Sequence, residues 1–198
     1  MSKLETNTID TVSGTSTLQV GSTNTSTITL GVSGDTVNVP SGVTIANSGT
    51  ATGFGGTNTP AFAATQANTG FTAGGDSKIA YATEIFDTDN CYDNSTNYRF
   101  TPTTAGKYFV YANIAFNADS AYARHQIKIY KNGSNIARSQ LRLTSNTFQN
   151  ADTNSVINYA VDMNGTSDYL EIYGFLDQNG QTENASGYGV FGAYRIIT

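Results

Sequence analysis

Carboxylates are the side chains of this sequence most suited to binding chemistry, and the densest group of them is Asp87, Asp89 and Asp93. Oxygen-rich runs of this kind can bind calcium, which prefers oxygen ligands. The spacing differs from that of an EF-hand loop, because counting from Asp87 places Cys91 at a ligand position and Tyr92 where a glycine is required. Two interpretations stay open here: a calcium site and a solvated loop between strands.

A hydrolytic active site has little support in the residue types. His125 is the only histidine, so a Ser-His-Asp arrangement is formally available, but no G-x-S-x-G turn accompanies it. Cys91 lies among acids, which do not lower the pKa of a thiol. A pair of carboxylates could serve a glycosidase, yet no pattern of a cleft surrounds one. The sequence therefore predicts a protein that is not an enzyme, with a glycan-cleaving activity as the alternative.

Basic side chains concentrate in one segment that has the pattern of a hairpin. They are Arg124, Lys128, Lys131, Arg138 and Arg142. Arg138 and Arg142 are four residues apart and would share one face of a strand. These cations are either the solvated face of a sheet or a patch for anionic surface glycans and lipopolysaccharide phosphates. The formal net charge of −5 disfavours a nucleic-acid partner, since such partners are held by neutralising phosphates.

The chain that must position these residues divides into two parts of different composition. Its 198 residues include 12 Tyr and 10 Phe, and every one of these aromatics lies at or after Phe54. The preceding part is dominated by Ser, Thr, Gly and Asn, and it cannot build a conventional core because aromatics supply the largest apolar area per side chain. We place the boundary in the glycine-rich stretch Gly53–Gly56, which suits a flexible joint.

Several protein classes are disfavoured by composition. A single cysteine rules out an intramolecular disulfide framework and a zinc site with several cysteines. No run of about 18 apolar residues is present, so we expect no membrane insertion. The segment Met1–Glu5 lacks the apolar stretch of a signal peptide. Charged residues make up only 13% of the chain, well below the roughly 25% typical of soluble domains.

The part before the boundary alternates apolar and polar residues in short runs. The apolar positions are Leu18, Val20, Ile28, Leu30, Val32, Val37, Val39, Val43 and Ile45. Such alternation predicts strands with one buried face, but a single copy has too few apolar residues to offset the entropy of ordering the chain. We therefore expect residues 18–56 to form a thin β-rich shaft of intertwined copies, with a disordered linker as the alternative. Residues 1–17 could dock the chain to a larger particle.

Residues 57–198 predict an antiparallel β domain. Alternating runs rich in aromatics predict strands at 78–86, 107–116, 126–131, 134–143, 155–163, 169–176 and 188–197. Asn132-Gly133 and Asn164-Gly165 lie between such runs and predict type I′ hairpins, because both residue types tolerate positive φ. No helical period is visible. The expected fold is all-β, a sandwich or jelly roll.

A motif within this part resembles a known family. It is formed by Tyr81, Asp87, Tyr92, Phe100, Gly106 and Tyr108, followed by a closing strand at Gly189–Tyr194. Over about residues 60–198 the pattern resembles the globular head of complement component 1q, although Val110 and Ala112 stand where that family has aromatics. The resemblance implies the jelly roll that this head shares with the tumour necrosis factor superfamily, a homotrimeric assembly, and calcium near the trimer axis as the only cofactor to consider.

A trimer would also cover surplus apolar surface. Both faces of the segment 108–112 are apolar, so its second face needs a partner. We expect the trimer core to contain Tyr108, Tyr111, Phe191 and Tyr194. The plan of a head behind a Ser/Thr/Gly-rich front is similar to fibre and spike proteins of tailed bacteriophages.

The order of the strands places the connecting loops at alternate ends of the sandwich. Tight connections at 101–105, 132–133 and 164–165 would share one end, and the longer loops at 117–124, 144–153 and 177–187 the other. Binding residues concentrate in loops on a rigid scaffold. We expect the long-loop end to bind a receptor or glycan through Tyr122, Arg124, Phe148, Asn150, Asp177, Gln178, Gln181 and Glu183.

The sequence thus predicts a homotrimeric virion fibre or spike protein, on a tail or capsid appendage at the outer surface of the particle. Its head would recognise a host glycan or protein, and its N-terminus would bind other virion structural proteins. A capsid decoration or cement protein without receptor binding is one alternative. A secreted or surface-bound bacterial adhesin is another.

Overall fold

The computed structural model describes residues 20–21, 24, 26–49, 58–119, 121–142, 153–183 and 188–196. The chain divides into two compact units, Met1–Ala51 and Thr52–Thr198, close to the boundary that the glycine-rich stretch predicts. The predicted docking segment 1–17 and two predicted binding residues, Phe148 and Asn150, lie outside the described residues.

The described residues of the first unit contain turns but no strands. Asp35 closes one turn, since its amide donates to the carbonyl of Val32 at 3.0 Å and its Oδ2 accepts from the Val32 amide at 2.9 Å. The apolar side chains are exposed, Leu30 by 68% and Val32 by 77%. A single chain offers no second layer to bury these side chains, so the absence of strands among its described residues does not test the intertwined shaft. A shaft of several copies stays a prediction.

The second unit is built from strands. Within its described residues there are thirteen: β1 Ala61–Thr65, β2 Gly70–Phe71, β3 Asp76–Lys78, β4 Thr83–Asp87, β5 Tyr92–Asp93, β6 Arg99–Phe100, β7 Gly106–Ala118, β8 Arg124–Lys131, β9 Ser134–Arg142, β10 Thr153–Met163, β11 Leu170–Leu176, β12 Gly180–Thr182 and β13 Val190–Arg195. The same residues include no helix with the length and apolar character needed to cross a membrane.

These strands form two antiparallel sheets. The seven-stranded sheet has the order β2-β12-β7-β13-β1-β4, with β10 on the other edge of β7. The six-stranded sheet has the order β5-β6-β11-β8-β9, with β3 also paired to β11. Core residues come from both sheets, so the unit is a two-layer sandwich with its apolar interior between them.

Two of the local predictions fail where the chain changes sheets. The run 78–86, predicted as one strand, is divided between β3 in one sheet and β4 in the other. Asn164-Gly165 begins the crossover from β10 to β11 rather than a hairpin, and Asn164 does not have positive φ. Asn132-Gly133 does join β8 to β9 with φ of 52° and 76°, which confirms the predicted hairpin.

The aromatic residues that carry the family resemblance lie in the core: Tyr81, Tyr92, Phe100 and Tyr108. The Phe62 ring stacks on Tyr92 and Phe100, with centroid separations of 4.3 and 4.6 Å. Buried hydroxyls are satisfied, since Tyr92 donates to the carbonyl of Tyr81 at 2.9 Å and Tyr81 donates to that of Asn113 at 2.9 Å. The aromatic residues of the motif therefore contribute to the packing of the sandwich.

Candidate functional site

The described loop residues lie at the two ends of the sandwich that the order of the strands predicts. At the long-loop end, the Asp177 amide donates to the carbonyl of Arg124 at 3.2 Å, and the Asp119 amide donates to that of Asn179 at 3.0 Å. At the opposite end, Asn132 Nδ2 donates to Asp168 Oδ1 at 2.8 Å. The alternation of strands is thus sufficient to group the loops.

Tyr122 cannot serve as a ligand-binding residue, contrary to the prediction. Its ring is fully buried and lies edge-on to His125 at 5.9 Å between centroids. Its hydroxyl makes a hydrogen bond with Thr153 Oγ1. The loop before β8 therefore places this aromatic in the core, where its apolar area stabilises the fold.

The other described residues of the predicted site remain near the surface. Part of the expected 177–187 loop is strand β12, which carries Gln181 as an exposed side chain. Glu183 is half-buried, and its Oε2 accepts from Asn117 Nδ2 at 3.3 Å. Asp177 and Gln178 are half-buried, and Asp177 Oδ1 accepts from the amide of Ala123 at 3.3 Å. Of these four residues, Gln181 is the one with an exposed side chain.

His125 lies inside the sandwich rather than at a catalytic surface. Its Nδ1 is 2.7 Å from Ser155 Oγ, and both side chains are buried. Burial lowers the pKa of His125, an effect that the nearby Asp177 carboxylate opposes. A substrate could not reach this serine hydroxyl, so the pair is best explained as a polar contact of the interior.

The three carboxylates considered for calcium serve the loop itself. Asp87 Oδ2 accepts from the Tyr92 amide at 2.7 Å, while Asp89 Oδ2 makes a hydrogen bond with the hydroxyl of Thr88. Asp93 accepts from the amide of Thr96 at 2.9 Å, and this hydrogen bond is the main reason its pKa is lowered. No three acidic, His or Cys side chains in the described part of the chain converge on a common point. Calcium binding by this loop stays a prediction, since calcium also takes carbonyl and amide oxygens as ligands.

An open cavity of about 430 Å³ lies beside this loop and includes Cys91 in its lining. The cysteine is 6% exposed, and burial raises the pKa of its thiol. Its sulfur lies 3.8 Å from Thr103 Oγ1. The thiol is thus held in its protonated form, which makes it a poor nucleophile.

A second surface lies on the outer side of the seven-stranded sheet. Phe109 and Tyr194 are cross-strand neighbours on β7 and β13 with ring centroids 5.6 Å apart. Tyr111 lies over Gly192, where a Cβ atom would overlap its ring. Phe86, 45% exposed on β4, extends the same side of the sheet through its pairing with Ala63.

We name this surface the aromatic face: Phe86, Phe109, Tyr111 and Tyr194. Val156 of β10, opposite Asn113 of β7, adds an aliphatic side chain that is 60% exposed. An exposed apolar patch rimmed by polar residues is typical of an interaction site.

The four residues predicted for the trimer core fall on opposite sides of the sheet. Tyr111 and Tyr194 belong to the aromatic face. Tyr108 and Phe191 are fully buried within the chain's own core, so this part of the prediction is wrong. Strand parity is the signal that separates them, since successive side chains point to opposite faces. The same signal identifies Phe109 as a member of the aromatic face.

Comparisons with known proteins bear on the fold. No family model and no curated protein matches the chain. The structure is similar to that of Eiger TNF from S. frugiperda, with a TM-score of 0.56 and 8% identity, covering 69% of this chain and 92% of that one.

Murine APRIL gives a TM-score of 0.50 and 7% identity, covering 69% of this chain and 98% of that one. The globular domain of zebrafish complement 1qA protein gives 0.47 and 14% identity, covering 70% and 97%. At such identities likeness shows the fold alone. The second unit therefore has the jelly-roll fold found in proteins of the tumour necrosis factor type.

Proposed function

We propose that the chain is a homotrimeric recognition protein without enzymatic activity, which assembles through the aromatic face. The observation that supports this most directly is the exposure of large apolar side chains on an ordered sheet. Tyr194 is 37% exposed and Phe86 45%, although both lie on strands with fixed positions. Removing such area from water stabilises an association by about 25 cal/mol per Å².

A threefold arrangement is the assembly implied by the sequence resemblance, and the jelly-roll fold agrees with it. The first unit supports the same assembly for a different reason. Its Leu30 and Val32 side chains are exposed in one copy, and neighbouring copies could cover them. Three chains wound together would form the shaft. The same trimer would then cover the aromatic face and the apolar side chains of the first unit.

The ligand site proposed for this trimer is the long-loop end. Gln178 and Gln181 offer amide groups that can both donate and accept hydrogen bonds with sugar hydroxyls. The setting proposed for the protein is a virion fibre or spike at the particle surface, attached by its N-terminal residues. That setting is supported by the Ser/Thr/Gly-rich composition of the first unit.

The native mass of the full chain tests the assembly. Sedimentation equilibrium should give three times the 21.0 kDa of one chain. Tyr194→Lys should shift the protein towards monomer, because a cation would be placed in an apolar interface. Tyr159→Lys is the matched control: Tyr159 is 42% exposed but shares the inward side of β10 with the buried Ile157 and Val161. A wild-type monomer would overturn the proposal.

A glycan array tests the proposed ligand site. The double variant Gln178→Ala with Gln181→Ala should lose binding that the wild-type protein shows. Asn135→Ala, an exposed amide near the opposite end, should retain it. Equal binding by both variants would remove the long-loop end as the recognition surface and would favour a protein that contacts only neighbouring subunits.

A further inference from the structure

The outer side of the six-stranded sheet carries a second binding surface. We propose that it binds an acidic polysaccharide whose carboxylate groups are separated by neutral sugar units. This inference deepens the recognition function proposed above and rests on it only in treating the protein as a glycan binder. It requires neither the trimer nor the long-loop amides.

The surface is defined by two pairs of cations on adjacent strands. Arg124 of β8 lies opposite Arg142 of β9, and Lys128 of β8 lies opposite Arg138 of β9. We name these four residues the cationic strip. Like charges directly opposite one another destabilise a sheet, so two such pairs in succession are costly unless an anion lies between them. The register thus shows a local conflict that a bound oxyanion would resolve.

Acidic neighbours neutralise only part of the strip. Lys128 Nζ is 2.5 Å from Asp76 Oδ1, and this ion pair compensates one charge. The Arg124 guanidinium lies 4.4 Å above the Phe175 ring, which orients it without neutralising it. Arg138 and Arg142 are exposed, and no described carboxylate forms an ion pair with either. Three positive charges therefore remain for a ligand.

The fifth cation of the sequence cluster belongs elsewhere. Lys131 Nζ is 2.8 Å from Asp168 Oδ2 and also donates to the carbonyl of Asp162 at 2.6 Å. Its side chain is committed to the short-loop end, where Asp168 also accepts from Asn132. Of the five basic residues that cluster in the sequence, only four therefore belong to the cationic strip.

The space between the two cation pairs favours a sugar chain. The pairs are four residues apart along each strand, which corresponds to about 13 Å. Between them Gln126 lies opposite Gln140, and its Nε2 donates to Gln140 Oε1 at 2.6 Å. The exposed Gln140 keeps its amide hydrogens for a ligand oxygen. An anionic group, a hydroxyl-bearing segment and a second anionic group would match this order.

Carboxylates suit the arginines of the strip, because the planar guanidinium fork binds a carboxylate through two parallel hydrogen bonds. Nucleic acid suits it less well. Its phosphates follow one another at much shorter spacing than the two cation pairs.

The position of the strip is compatible with the proposed trimer. It lies on the sheet opposite the one that carries the aromatic face. Assembly through the aromatic face would leave three strips accessible on each trimer. A long polysaccharide that reaches more than one strip would gain affinity through effective concentration.

Binding of the full-length protein to hyaluronan, in which uronic acids alternate with neutral N-acetyl sugars, tests this inference at low ionic strength. Arg142→Ser and Arg138→Ser should each weaken binding about tenfold, the usual scale for losing a charge-assisted hydrogen bond. Lys107→Ser is the control, since it removes the same charge from an exposed position on the other sheet, 58% accessible and paired with Asp162. It should bind like the wild-type protein. Binding should weaken as salt increases.

Thermal denaturation is a second test. If Arg142 only stabilised the fold, Arg142→Ser would lower the melting temperature without polymer. Without polymer, the melting temperature of Arg142→Ser should equal or exceed that of the wild-type protein, because one opposed pair is removed. With hyaluronan the wild-type melting temperature should rise, and that of Arg142→Ser should rise less.

Several results would overturn the inference. These are equal losses in Lys107→Ser and Arg142→Ser, equal binding to neutral dextran, binding to DNA or heparin without binding to hyaluronan, or no binding to hyaluronan at all. The native mass of each variant is measured alongside. A variant that loses mass as well as binding would count against the proposed assembly, whereas loss of binding at unchanged mass identifies the strip.

Discussion

The two outer faces of the sandwich are built by the same strand alternation but carry opposite chemistry. On β7 the outward positions include Phe109 and Tyr111, and the strip on β8 uses Arg124 and Lys128. Inward positions of both strands are mostly apolar and are buried, as Tyr108 and Ile127 show. The fold therefore depends on one set of side chains, and each face is left free to bind something different.

This comparison teaches where function can be changed without loss of the fold. Exposure of aromatic side chains to water is unfavourable, so an aromatic face favours a protein partner. A cationic face is well solvated and favours an anion. Substitutions in the shared core should damage both faces together, whereas substitutions on one face should leave the other intact.

The largest expected effect is in the shared core. Phe62→Ala removes the ring that stacks between Tyr92 and Phe100, and it should lower the free energy of unfolding by about 3–5 kcal/mol. Urea denaturation measures the loss. Asn135→Ala, at an exposed position on β9, should cost about 0.5 kcal/mol or less. Equal costs would contradict the division between core and surface.

The next effect concerns the aromatic face. Gly192→Ala places a methyl group against the Tyr111 ring and near the carbonyl of Phe62, so it should cost about 1–3 kcal/mol and weaken self-association. Gly70→Ala adds the same methyl group where no atom lies within 4 Å and should leave both quantities unchanged. Sedimentation and urea denaturation distinguish the two variants. Unchanged self-association in Gly192→Ala would count against the aromatic face as the interface.

The interior between the faces should respond to acid. Burial lowers the folded-state pKa of His125 below its usual value of 6.5, with Asp177 opposing the shift. The corresponding stability is present above about pH 6.5 and is lost as the pH falls towards the folded-state pKa. His125→Asn keeps an acceptor for Ser155, and its melting temperature should depend less on pH over this range. Parallel curves for the two proteins would exclude His125 as the source.

The smallest effect is expected on the cationic face. Arg138→Glu replaces a like-charge pair with an opposite-charge pair across from Lys128, so it should stabilise the protein by about 0.2–1 kcal/mol. The same change should abolish binding to an acidic polymer. Calorimetry measures the first quantity and polymer titration the second. A lower melting temperature would show that the opposed cations impose no cost on the sheet.

Much of the sandwich could be predicted from the sequence because alternation is a local signal. The strands β7 to β11 and the Asn132-Gly133 hairpin follow from it. The split of 78–86 and the crossover at Asn164 do not, because they depend on which sheet a segment joins. Sheet membership is set by contacts between residues far apart in sequence, which a short window does not contain.

The candidate sites show the same limit. Parity alone places Tyr108 and Tyr111 on opposite faces, so their separation could have been predicted. Which of those faces is buried could not. Tyr122 looked like a loop aromatic until the packing against His125 placed it inside. The cation pairs needed the register of β8 and β9, which a bulge after Ile129 shifts by one residue.

The sequence by itself determined that the chain has two parts, that the second is all-β, and that its loops alternate between two ends. These properties depend on composition and on the period-2 pattern of side chains. Only the tertiary structure decided which aromatics fill the core, which remain on an exposed face, and which cations oppose one another. Those outcomes depend on pairing between distant strands, since a side chain's free energy is set by the layer it meets.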